Sequence, residues 1–242
     1  MKINKKLTFI SLFSGSGGFK IGFEEAGFQC LLSSDMEKTC ELTHNKNFKN
    51  TPFLLKDVRT IKTKEVLKLT KNVKPDVIIG GPPCQGFSVM GDKNSSDPRN
   101  ELFKSYVSLI KDLHPKCFVF ENVKGLSTMY RGQFLEELIN DFAACGYDIH
   151  FKIINAFDYG VPQLRERVFL VGTNQDKNFD FPKADGKKFG KLKSYVDVKE
   201  AIFDLINESR DFPNHISLNH SETVVKRYRL IKEGGKLPPP NK

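Results

Sequence analysis

A cysteine stands at position 84 in the stretch "GGPPCQGFS", residues 80–88, behind Pro82 and Pro83 and among Gly80, Gly81 and Gly86. A thiol meant only for packing could sit anywhere on an apolar strand. Here the prolines restrict the backbone before the thiol and the glycines permit close approach around it. A thiolate held in a fixed direction and partly exposed is the nucleophile of choice for an electron-poor carbon. Glu121, followed by Asn122, closes the apolar run "CFVFEN" and can serve as an acid or hydrogen-bond partner if the two segments end side by side. Arg165 and Arg167 of "QLRER" lie two residues apart, which on a strand points both to one face.

A second group reads as a nucleoside site. Gly15, Gly17 and Gly18 fall between an apolar run and a helical pattern, where backbone can approach a ligand and helix N–H groups face it. Asp35 follows Gly15 by 20 residues, at the end of the next apolar run, where an acid can bond ribose hydroxyls. The dinucleotide fingerprint requires glycine where Lys20 stands, so a cofactor with adenosine and no phosphates fits better, S-adenosylmethionine being the commonest.

The elements that must position these groups alternate along the chain. Strand-like runs at 7–13, 28–35, 75–81, 117–122 and 167–173 are separated by amphipathic patterns, including 18–26, one beginning "NELFKSYVSL" and ending before Pro115, and "QFLEELINDFAACGY", closed by Gly146. Such alternation predicts a Rossmann-like α/β fold, a mostly parallel twisted sheet with helices on both faces, whose ligands sit at the carboxyl ends of strands. Those ends are where the glycine turn, Asp35, the Cys84 loop and Glu121 fall. After about residue 174 the pattern loosens into a Lys-rich connection, a short helix near "VKEAIFDLI" and a proline-rich end.

The 242 residues, 39% hydrophobic, suit a substantial buried core. No apolar run reaches the ~18 residues of a membrane span and the N-terminus lacks the signal-peptide pattern, which predicts a soluble, cytoplasmic protein with no membrane partner. The five cysteines form no C-x-x-C pair, so no disulfide framework or zinc ribbon is expected, and Cys30, Cys117 and Cys145 read as core fillers. The net charge of +9 is compatible with a polyanionic partner.

Four blocks in order, "FSGSGGFKIGFEEAGF", "DVIIGGPPCQGFS", "FENVKGL" and "YGVPQLRERVFLVG", resemble the cytosine-specific DNA methyltransferases that modify carbon 5 of the base. The resemblance implies S-adenosylmethionine as donor, S-adenosylhomocysteine as product, no metal, and duplex DNA as partner. It implies Cys84 as the nucleophile at carbon 6 of a flipped cytosine and Glu121 as the group at ring nitrogen N3. Arg165 and Arg167 would steady the catalytic loop, base and nearby phosphates, and Gln163 would support them. At the cofactor it implies Phe13 beside the adenine, Gly15, Gly17 and Gly18 as the close-approach loop, and Asp35 on the ribose. Asp57 would lie near the adenine, with Val58, Pro83 and Leu102 as apolar walls. Met36 stands where many members carry an aromatic residue.

Family members continue into a target-recognition domain, a further structural block and a segment that returns to the cofactor pocket. By that resemblance residues 1–213 are the catalytic domain and 214–242 the start of the recognition region. The chain is then expected to be either the catalytic subunit of a split enzyme, with a second polypeptide carrying the remaining blocks, or a truncation. A bacterial protein of this kind would be nucleoid-associated. The same chemistry on tRNA and a non-catalytic binding remnant are the alternatives.

Overall fold

The computed structural model describes residues 6–83, 100–174, 179–184, 197–209, 211–212, 214–216, 218–232 and 234–237. The chain divides into two compact units, Met1–Tyr195 and Val196–Lys242.

The first unit runs β1 (Thr8–Leu12), α1 (Gly18–Glu25), β2 (Gln29–Asp35), α2 (Lys38–Asn47), β3 (Phe53–Leu55), α3 (Thr63–Leu69), β4 (Val77–Gly80), α4 (Asn100–Leu113), β5 (Cys117–Val123), α5 (Gln133–Ala143), β6 (Asp148–Asn155) and β7 (Glu166–Thr173). The strands form one sheet in the order β3-β2-β1-β4-β5-β7-β6. β1 pairs in parallel with both β2 and β4. The chain therefore leaves β1 toward one edge and returns to build the other, and the crevice beyond the carboxyl ends of β1 and β4 is the place where such folds bind ligands. The expected mostly parallel sheet is met.

The apolar runs explain the layers. β1 and β4 are buried at every position, as strands covered on both faces must be. Alternation splits their side chains between two cores. Ile10, Leu12, Ile78, Phe118 and Phe120 pack with Val66 of α3, Tyr106 and Ile110 of α4, and Leu138 and Phe142 of α5. On the other face Phe9, Cys30, Val77 and Ile79 meet Phe19 and Phe23 of α1, with Cys117 and Val119 beside them. Glycines let large rings into the first core. A Cβ on Gly172 would lie 2.0 Å from the Phe118 ring, and one on Gly80 would lie 2.7 Å from Tyr106. Tyr106 also donates its hydroxyl to the Val119 carbonyl at 3.2 Å, which satisfies its one buried polar atom.

The run at 167–173 is a strand, but it lies antiparallel between β5 and a strand the periodicity did not reveal, β6. α5 provides the crossover that brings β6 back parallel to β5. The link from β6 to β7 holds only a short 3-10 turn, Ala156–Tyr159, so the chain reverses into a neighbouring slot. Cys30 is buried, whereas Cys117 and Cys145 are partly exposed; burial pushes the Cys30 and Cys117 thiols up to about 11, as inert packing groups.

The second unit contains α6 (Val198–Ile202) and α7 (Glu222–Tyr228). Asp197 caps α6 by accepting from the Glu200 amide at 2.7 Å. Among the described residues no helix is long and apolar enough to cross a membrane.

Candidate active site

The strand register sets the site. Leu12 is level with Ser34 of β2 and Gly80 of β4, and Gly80 with Phe120 of β5. The next residues along, Phe13, Asp35, Gly81 and Glu121, therefore emerge in one row, at the ~4.8 Å spacing of neighbouring strands.

At β1 the chain turns through Phe13, Gly15 and Gly17, all with positive φ, of 52, 52 and 94°. For Phe13 this is a strained conformation, held by burial of its side chain against the main core. Asp35 ties the turn to β2, because its carboxylate accepts from the Gly15 amide at 2.8 Å and the Glu37 amide at 3.1 Å. Gly17 precedes α1 without a side-chain cap, so the first N–H groups of the helix stay directed at the turn. A Cβ on Gly15 or Gly18 would meet nothing within 4 Å, so the space above the turn is open. An open glycine turn, helix amides and an acid at the next strand end fit the adenosine and amino-acid portions of S-adenosylmethionine.

Two residues that support this turn were not assigned a role from sequence. The Phe48 ring lies where a Cβ on Gly17 would be, 2.6 Å away. Lys20, 2% exposed, places its ammonium 3.9 Å from the centre of that ring and pairs with Glu24 at 2.6 Å. The residue that breaks the dinucleotide fingerprint is thus a brace between α1 and α2. A lysine four residues before a glutamate on the inward side of a helix was the available signal.

The remaining cofactor candidates are spread around the row. Met36 is exposed, and Asp57 and Leu102 are half-buried. The Arg59 side chain, bonded to the Asp57 carboxylate, holds it below the usual range. Val58 is buried in the main core and supports that corner from beneath. Pro83 is exposed.

On the other side of β4, Cys84 lies outside the described residues. The loop leading to it is pinned: Asn122, 3% exposed, donates from Nδ2 to the buried Pro82 carbonyl at 2.8 Å. Asn122 also accepts from the Val123 amide through Oδ1 at 2.8 Å. Beside it, Glu121 is half-buried, with Oε1 3.0 Å from Arg167 Nε. Burial raises the Glu121 carboxyl above its ordinary range, and the charges of Arg167 and Arg165 only partly offset this. Gly81 leaves the needed room, since a Cβ there would lie 2.8 Å from Glu121 Oε2. Arg165 is exposed, and its amide donates to Asn155 Oδ1 at 3.0 Å. Gln163 is exposed in the same loop. A carboxyl whose proton is held to higher pH, paired with an arginine and next to a pinned proline turn, can donate a proton or hydrogen bond to a ring nitrogen. Among the described residues no cluster of His, Cys, Asp and Glu could hold a metal ion.

The open glycine turn beyond β1 and the carboxyl beside the pinned proline turn beyond β4 thus lie in one row at the carboxyl ends of the strands of an α/β domain. Residues 7–238 match the family described as C-5 cytosine-specific DNA methylase, and the chain belongs to that family.

The chain is 39% identical over 236 residues to the Type II methyltransferase M1.HphI of Haemophilus parahaemolyticus, covering 95% of this chain and 62% of that protein. It is 37% identical to M.FnuDI of Fusobacterium nucleatum, of which it covers 63%. It thus spans a little under two thirds of these relatives. By contrast, the match to M.AquIA of a Picosynechococcus strain, 37% identical over 249 residues, covers 94% of this chain and 98% of that protein. Among solved structures, a putative DNA modification methyltransferase encoded within an E. coli prophage aligns with TM-score 0.69 and 31% identity, over 82% of this chain and 55% of that one. Spodoptera frugiperda DNMT2 aligns with TM-score 0.59 over 73% of this chain and 52% of its own, and at 22% identity shows the fold alone.

Proposed function

We propose that this chain is the catalytic part of a DNA (cytosine-5) methyltransferase, with duplex DNA as substrate. The observation that carries the reading is the Glu121–Arg167 pair, with a raised carboxyl, beside the loop that Asn122 fixes ahead of Cys84.

Cytosine in a stacked duplex is out of reach, so the target base is flipped into the crevice. The Cys84 thiolate forms a bond to carbon 6, and the displaced ring electrons move toward carbon 5 and N3. Glu121 supplies the proton or hydrogen bond at N3 that makes this addition favourable. Arg167 holds the Glu121 carboxyl in place, and Arg165 adds positive charge for the base and phosphates. S-adenosylmethionine, when bound, supplies an electrophilic methyl group on its sulfonium, which carbon 5 accepts. Water then takes the carbon 5 proton, N3 returns its proton to Glu121, and the C–H electron pair re-forms the 5,6 double bond as the sulfur–carbon 6 bond breaks and frees the Cys84 thiolate.

Gly15, Gly17 and Gly18 would hold the donor through backbone, Asp35 through its ribose, and Phe13, Met36, Asp57, Val58, Pro83 and Leu102 would surround the adenine. The region from residue 214 would begin target recognition, and a second polypeptide would supply the rest, in the cytoplasm and within a restriction–modification system. Without the recognition part, binding to DNA would be weak and carried by phosphates.

The test is transfer of labelled methyl from S-adenosylmethionine to duplex DNA, by this chain alone and with the product of the adjacent reading frame. Label in DNA only with both chains is expected. Label in a tRNA pool and none in duplex DNA would overturn the substrate, and activity of this chain alone would overturn the need for a second one.

A further inference from the structure

Beyond Glu121 the chain passes through Val123 into a 3-10 segment, Lys124–Gly132, and then enters α5. The segment is anchored on both sides of its tip. Leu126 is fully buried in the main core, and Phe134, in the first turn of α5, meets Phe103 of α4 edge-on with ring centres 5.1 Å apart. Within the segment the Ser127 hydroxyl donates to the Lys124 carbonyl at 2.8 Å, and the Thr128 hydroxyl to the Gly125 carbonyl at 3.1 Å. β5 and β6 both run antiparallel to β7, so α5 must cross from the carboxyl end of one to the amino end of the other. The tip before α5 therefore stands on the same side of the sheet as Glu121.

This tip breaks a local rule. The Gln133 amide donates to the Tyr130 carbonyl. The two residues between, Arg131 at φ 58° and ψ 33° and Gly132 at φ 90° and ψ −11°, have the dihedrals of a type I′ turn. The first central position of that turn suits Asn, Asp or Gly, because left-handed backbone crowds a Cβ. Here it holds an arginine, and Tyr130 before it is left-handed too, at φ 48°. Arg131 is exposed, so burial of its side chain does not offset the strain. Chains depart from local turn chemistry chiefly at functional positions.

Neighbouring cations are already engaged: Lys124 pairs with Glu166 at 2.9 Å, and Arg167 with Glu121 at 3.0 Å. Arg131, by contrast, forms no ion pair among the described residues. A guanidinium left free on an anchored turn offers a planar fork of donors that matches a phosphate.

We propose that Arg131 holds a backbone phosphate of the duplex beside the crevice, an inference that rests on the DNA reading above and names a further contact for it. Phosphates take the larger share of protein–DNA hydrogen bonds and fix the register of a protein on the duplex. The strained turn is kept because it aims the guanidinium at that phosphate, and the contact offsets its cost only when DNA is bound.

Two variants separate charge from strain. Arg131→Asn removes the charge and gives the turn a residue that tolerates left-handed backbone, so the fold is kept. Arg131→Lys keeps both the charge and the strain. The full chain is titrated against a fluorescent duplex of arbitrary sequence at several salt concentrations, with thermal melts and S-adenosylhomocysteine affinity measured alongside.

The expected result for Arg131→Asn is about tenfold weaker duplex binding at low salt, and a slope of log K against log salt that is flatter by about 0.9, one phosphate contact. Its melting temperature stays at or above that of the wild type, with S-adenosylhomocysteine affinity unchanged. Arg131→Lys keeps the wild-type slope. Wild-type affinity and slope in Arg131→Asn would overturn the contact and leave the methyltransferase reading standing. A lower melting temperature for Arg131→Asn would make the arginine a support of the fold and overturn the proposal. A loss confined to one duplex sequence would assign Arg131 to a base edge and overturn the phosphate. A wild-type chain that binds a tRNA pool and no duplex would overturn the DNA reading and this contact with it.

Discussion

Asn122 and Pro82, 40 residues apart, are joined by a buried hydrogen bond from the Asn122 side-chain amide to the Pro82 carbonyl at 2.8 Å. The bond ties the end of β5 to the loop that leaves β4 two residues before Cys84. In the proposed reaction Asn122 is then a positioning residue, adjacent to Glu121 in sequence and holding the turn that leads to Cys84. Asn122→Ala strands a buried carbonyl, at a cost of about 1–3 kcal/mol. Methyl transfer is predicted to fall by more than about tenfold with cofactor affinity unchanged, measured by single-turnover kinetics and S-adenosylhomocysteine titration. Equal loss of both would mean that Asn122 supports the fold generally.

Gly81 and Glu121 make a second coupled pair. A methyl group on Gly81 would lie 2.8 Å from Glu121 Oε2 and must push the carboxylate off its Arg167 partner. Gly81→Ala is predicted to slow transfer by about 10²-fold, and Glu121→Gln by about 10²–10⁴-fold. The raised Glu121 carboxyl keeps its proton to higher pH than an ordinary glutamate, so the wild-type rate has a limb that falls as pH rises through that value. Rate–pH profiles should show this limb in the wild type and not in Glu121→Gln.

Gly17 and Gly18 separate strain from occupancy. Gly17→Ala adds a side chain at φ 94° and 2.6 Å from the Phe48 ring, so it should lower stability as well as cofactor affinity. The backbone contribution alone is about 1–2 kcal/mol. Gly18→Ala meets nothing within 4 Å and should leave the melting temperature unchanged while weakening S-adenosylhomocysteine binding. Calorimetric titration and thermal melts of the two variants check the contrast.

Asp76 ties together the starts of β1, β4 and β5. Burial pushes its carboxyl up, but the bonds from Lys116 and Thr8 outweigh this and the net shift is downward. A depressed folded value means stability present above the unfolded carboxylate range and lost as pH falls through the folded value. Asp76→Asn is predicted to cost about 1–3 kcal/mol at pH 7, and the difference from wild type should shrink below about pH 4. Urea unfolding at the two pH values measures it.

The alternation of apolar runs and amphipathic helices carried the parallel part of the sheet, because strands buried on both faces read as unbroken apolar segments. The glycine turn, Asp35, Glu121 and the two arginines stood out for the same reason: polar or unusual residues at the ends of such runs. β6 did not, since its side chains are half-buried or exposed throughout and its pairing partner comes later in the chain. The Asn122–Pro82 bond and the packing of Phe48 on Gly17 were invisible because both join segments distant in sequence, through contacts that no local period encodes. Cys84 is the reverse case, prominent in the sequence through its proline and glycine neighbours and outside the described residues.

The central claim is covalent attack by Cys84, and a duplex with 5-fluorocytosine at the target tests it most directly, because fluorine at carbon 5 prevents the loss that frees the thiol. Under conditions where the wild-type chain and its companion methylate the unmodified duplex, the account predicts a denaturation-resistant adduct, mapped by peptide mass to Cys84 and absent in Cys84→Ser. Methylation of the ordinary duplex with no adduct on the fluorinated one, or an adduct on another residue, would contradict it.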